Sequence, residues 1–78
     1  MPKGVELDNL EVLYPTKEDL DDALFWSASL LQRGKPVPAI DLIISAISVR
    51  LGLNIITRDH HFATIKALVP HLKIQLVD

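Results

Sequence analysis

Apolar residues recur along this chain with a period near 3.6 in some stretches and near 2 in others, and the switches between them divide it into six elements. LEVLY (10–14) is short, aliphatic and aromatic, and PT stops it, which predicts a strand. Thr16 then opens TKED, a Thr-x-x-acid pattern in which the hydroxyl accepts from an orphan N–H at a helix start and Asp19 stands where the reciprocal bond forms. Leu20, Ala23, Leu24, Ser27, Ala28 and Leu31 follow at three- and four-residue spacing and give the helix one apolar face. Glu18, Asp19, Asp21 and Asp22 put negative charge at the positive end of its dipole, a solvated acidic start. Gly34 and Pro36 end it.

GKPVP (34–38) reads as an extended connector, because each proline biases its predecessor away from the helical region and lacks a donor. Residues 39–51 return to helix, with Pro38 near the start and Gly52 just past the end. Only Asp41, Ser45, Ser48 and Arg50 interrupt its apolar run, so this helix is expected to be covered on most sides. LNIIT (53–57) predicts a strand, Asp59 the N-cap of a third helix HHFATIKAL, and Pro70 the break before a last strand LKIQLV (72–77). Residues 1–9 carry no clear pattern. Strand, helix, helix, strand, helix, strand implies an α/β fold: a small three-stranded parallel sheet with three helices in a single domain, residues 1–78.

Composition adds an expectation about assembly. A chain of 78 residues removes only about 60% of its unfolded surface from water. Yet 49% of this one is hydrophobic, more aliphatic surface than so small a core hides, and a three-stranded sheet leaves both edges open. No cysteine is present to supply a disulfide or a thiolate metal site, so a homo-oligomer is expected to complete the fold. The net charge of −2 argues against a generally cationic nucleic-acid surface. No secretory leader pattern and no apolar run of membrane-spanning length is present, which leads us to expect a cytoplasmic protein without a membrane partner.

Asp41 and Asp59 carry the candidate chemistry. In an open α/β sheet, ligands collect at the carboxyl ends of the strands. Asp59 lies two residues past one such strand, and Asp41 opens the helix that feeds it, so two acids 18 positions apart are expected to converge. Neighbouring carboxylates repel, and a cation relieves the repulsion. Mg²⁺ or Mn²⁺ suits oxygen donors of this kind and supplies hydroxide and charge stabilisation for phosphodiester cleavage. Thr57 is expected to hydrogen-bond one carboxylate, and Arg58 and Arg50 to meet phosphate. A plainer reading stands beside this one: both aspartates as helix-start residues favoured by capping and the dipole.

GKPVPAIDLIISAISVRLGLNIITRDHHFATI (34–65) closely resembles the carboxy-terminal half of PIN domains of the VapC toxin type. The linked elements are G-x-P-x-x-x-D followed by T-R-D-x-x-F, and the resemblance runs from about Leu10 to the end. It implies a partial Rossmann-like fold and a Mg²⁺- or Mn²⁺-dependent ribonuclease, often dimeric and often restrained by an antitoxin protein. It also implies metal-ligand roles for Asp41 and Asp59, with Thr57 as a supporting polar group in the catalytic site. The family's opening strand, which ends in an aspartate, and the helices that supply a further acid have almost no counterpart here. The chain therefore reads as a truncated or minimal PIN-like protein. Asp8 in VELDNLEVL is a degenerate echo of that opening strand in one alignment, whereas LEVLY aligns with the family's second strand in the more natural one.

Other residues carry less. His60, His61 and His71 lack the spacing of a tetrahedral zinc site. Phe62 reads as a core anchor, Phe25 and Trp26 as core or interface, and Ser45 and Ser48 as non-catalytic. Two functions remain open: a metal-dependent ribonuclease whose site is completed across a homodimer, and a non-catalytic PIN-like homodimeric scaffold that binds another protein.

Overall fold

A computed structural model describes residues 5–6 and 12–77 of the chain. Its elements are β1 (Val5–Glu6), β2 (Val12–Leu13), α1 (Lys17–Gln32), α2 (Ala39–Leu51), β3 (Asn54–Thr57), α3 (His61–Leu68) and β4 (Lys73–Leu76). This is a small α/β arrangement of three helices and a two-stranded parallel sheet. Asp8 lies outside the described residues.

The sheet corrects the expected three parallel strands. β3 and β4 pair in parallel with Ile55 opposite Ile74, whereas the strand within LEVLY pairs antiparallel with β1, Val5 opposite Leu13 and Glu6 opposite Val12. Its partner comes from the nine residues that the sequence left unassigned. Closing a short loop costs less chain entropy than reaching a strand some forty residues away, which favours the local hairpin.

α1 begins as the sequence requires. The Asp19 N–H donates to Thr16 Oγ1 at 3.1 Å and the Thr16 N–H donates back to Asp19 Oδ2 at 2.9 Å, a complete capping box. Asp19 is not part of a solvated acidic cluster, however. It is buried, and Arg50 at the far end of α2 reaches it with Nε 3.0 Å from both carboxylate oxygens and one terminal nitrogen 2.9 Å from Oδ2. This pair locks the start of α1 to the end of α2 and engages Nε and one terminal nitrogen of the Arg50 guanidinium.

α2 is the hub of the fold. Leu42, Ser45, Ala46, Ile47 and Ser48 are buried, and the small side chains among them let neighbouring elements approach closely. The Ser45 hydroxyl finds its acceptor inside the helix, donating to the Asp41 carbonyl at 2.8 Å. Gly52 ends α2 at φ +67°, and the Leu53 N–H reaches back to the Ser48 carbonyl at 2.9 Å, closing a Schellman turn that turns the chain into β3. Leu42 packs with Ala23 and Leu30 of α1, Phe62 and Ile65 of α3, and Val69 and Leu72 beyond it. Ile55 and Ile74 cover this core from the sheet, so Phe62 anchors α3 as its position predicted.

One side of α1 stays uncovered. Leu24 and Phe25 are 72% and 70% exposed, and Leu20 and Leu31 share the face of the helix that carries Leu24. Leu20, Ala23, Leu24 and Ser27 of α1 line an open groove together with Ala39 and Ile43 of α2. Among the described residues, no helix is long and apolar enough to cross a membrane.

Candidate metal centre

β3 and the turns around it bring the two predicted acids together. Asp41 lies in the first turn of α2, whose N-cap is Pro38 and which therefore has no capping side chain. A carboxylate there is favoured by the helix dipole. Asp59 follows β3 in the turn that enters α3. The expected cap is shifted by one position: His60 is the N-cap, α3 starts at His61, and Asp59 Oδ1 accepts from the His61 N–H at 2.9 Å. Thr57 serves the same turn. Its hydroxyl oxygen accepts from the Asp59 N–H at 3.0 Å, so it fixes the backbone of Asp59 and not, as expected, a carboxylate.

His61 completes the group. Its Nδ1 stands 3.1 Å from Asp59 Oδ1 and 3.4 Å from Asp41 Oδ2, and one ligand atom from each of the three residues lies within 4.8 Å of the others. The histidines lack zinc spacing in the sequence, so spacing alone does not point to His61. The signal that would have found this one is the two-residue step from Asp59 to His61 across a helix start, where an Asx-type turn folds the first side chain back over the next N–H. Arg58 is exposed beside Asp59.

The two carboxylates have different environments. Asp41 is only 8% exposed, and its Oδ2 is buried with no hydrogen-bond partner. Burial, followed by the negative charge of Asp59, raises its pKa above the ordinary carboxylate value, and His61 opposes the rise in part. Asp59 is exposed, and the His61 backbone N–H, together with the His61 ring and against slight desolvation, holds its pKa below the ordinary value. The site therefore combines one accessible, readily ionised oxygen donor with one enclosed oxygen that makes no hydrogen bond and has the His61 ring 3.4 Å away. A buried acceptor in that condition costs stability unless a positive group meets it. A protonated His61 or a bound ion supplies such a group, and two carboxylates and an imidazole suit a divalent transition metal or Mg²⁺.

Comparison of the chain with protein-family models, with curated proteins and with solved structures returns no match.

Proposed function

We propose that this chain is a minimal PIN-like protein of the VapC toxin type, acting as a Mg²⁺- or Mn²⁺-dependent ribonuclease whose acidic site is completed across a homodimer. The observation that carries the proposal is the buried, unpartnered Oδ2 of Asp41 facing Asp59 and His61. Asp41 and Asp59 hold the cation. The ion, when bound, supplies a nucleophilic hydroxide near neutral pH and offsets the charge that develops on a phosphodiester. Thr57 keeps Asp59 in place through its backbone, and Arg58 beside it meets a phosphate of the RNA. Arg50 contributes indirectly, by tying α2 to α1 through Asp19 and so fixing the helix whose first turn carries Asp41.

Homodimer formation has its own support in the exposed leucines Leu20, Leu24 and Leu31, which share one face of α1, with Phe25 exposed beside them. The same strip favours the second reading, a non-catalytic homodimeric scaffold that binds another protein such as an antitoxin. The test is cleavage of single-stranded RNA in the presence of Mn²⁺, Mg²⁺ or EDTA, with the Asp41→Asn/Asp59→Asn variant purified in parallel. Metal-dependent cleavage that the variant lacks supports the ribonuclease. Cleavage no greater than the variant's leaves the scaffold as the better account.

A further inference from the structure

We infer that His61 is the third protein ligand of the cation site, through Nδ1, and that it makes the site prefer Mn²⁺ and Zn²⁺ over Mg²⁺. The inference rests on the proposal that Asp41 and Asp59 hold a cation, and it goes further in naming the donor set and the class of ion.

The geometry comes first. Two donors bound at right angles to one ion, each about 2.1 Å from it, stand about 3 Å apart. Nδ1 of His61 is 3.1 Å from Asp59 Oδ1 and 3.4 Å from Asp41 Oδ2, the separations expected of neighbouring ligands. The imidazole is held there by construction. The His61 N–H is bonded to Asp59 Oδ1, so the turn that places the carboxylate also places the ring, and Thr57 braces that turn from the other side. Within this cluster Asp41 is only 8% exposed, and its buried Oδ2, which makes no hydrogen bond, lies 3.4 Å from His61 Nδ1.

Donor chemistry then selects the ion. Mg²⁺ prefers oxygen donors, keeps much of its water and takes one or two carboxylates, a role that Asp41 and Asp59 fill without the histidine. Imidazole adds most for transition metals, and affinity at a mixed nitrogen and oxygen site rises from Mn²⁺ toward Zn²⁺. The Nδ1 of His61 therefore separates Zn²⁺ and Mn²⁺ from Mg²⁺. Roughly half of the side chain is exposed, so its replacement by glutamine leaves the core and the backbone bond to Asp59 in place.

The experiment is titration calorimetry of Mg²⁺, Mn²⁺ and Zn²⁺ into the wild type and the His61→Gln variant, with electron spin-echo modulation of the Mn²⁺ complexes as a direct test for nitrogen ligation. The wild type should bind in the order Zn²⁺, Mn²⁺, Mg²⁺ and show ¹⁴N modulation. His61→Gln should lose the modulation and about tenfold or more in Zn²⁺ and Mn²⁺ affinity, with Mg²⁺ affinity nearly unchanged. Cations that bind both proteins equally, with no nitrogen signal, overturn the role of His61 while leaving the carboxylate site standing. If the wild type binds none of the three, the carboxylate site and this inference fall together.

Discussion

Arg50 and Asp19, 31 residues apart, form a two-pronged ion pair that joins the end of α2 to the capping box of α1. Burial alone would raise the Asp19 pKa, but the hydrogen bonds from Arg50 and Thr16 outweigh it, and the net value lies below the ordinary one. Its folded pKa is thus lower than its unfolded pKa. The resulting stabilisation is fully present above the unfolded value of 3.8 and is lost as pH falls through the lower folded value. Acid titration of stability in the wild type and Asp19→Asn should show this component only in the wild type. Asp19→Ala, which also removes the cap acceptor, should cost about 2 kcal/mol at pH 7 in denaturant unfolding.

Asp41 behaves in the opposite way. Its raised pKa means that the folded, metal-free protein disfavours the ionised form relative to the unfolded chain. Asp41→Asn should therefore stabilise the metal-free protein, by about 1 kcal/mol, while abolishing any gain from added cation. Thermal unfolding of both proteins in EDTA and in excess Mn²⁺ checks the two halves of this expectation. A site that serves only as a helix start gives no response to Mn²⁺.

Gly52 separates backbone strain from packing. Its φ of +67° favours glycine, yet a Cβ built there meets nothing within 4 Å. Gly52→Ala should consequently cost about 1 kcal/mol through the left-handed backbone alone. Asparagine, which tolerates that region better, should cost less, as chemical denaturation of the two variants would show.

The apolar strip on α1 predicts the assembly state. Leu24→Lys places a charge on the most exposed leucine of that strip, outside the buried core. In analytical ultracentrifugation the wild type should sediment as a dimer and the variant as a monomer with unchanged helical content. A wild type that is monomeric at every concentration removes the dimer from the account.

The helices were legible in the sequence because each has local punctuation. The limits of α2 follow from Pro38 and Gly52, and the start of α1 follows from Thr16 and Asp19. The approach of Asp41 to Asp59 was legible too, since topology alone sends a helix start and a strand end to one edge. What the sequence hid was non-local or conformational. Asp19 looks like one of four surface acids until the distant Arg50 is placed against it. The partner of β2 lies in a segment with no periodicity, and His61 joins the site because of a turn geometry that spacing rules for zinc do not describe.

The most direct test of the cation site is a crystal of the wild type soaked in Mn²⁺, with diffraction collected so that the metal's anomalous signal is visible. The account predicts one strong anomalous peak bonded to carboxylate oxygens of Asp41 and Asp59 and adjacent to His61, absent from crystals of Asp41→Asn. A map with no peak between these residues at saturating Mn²⁺ would contradict it.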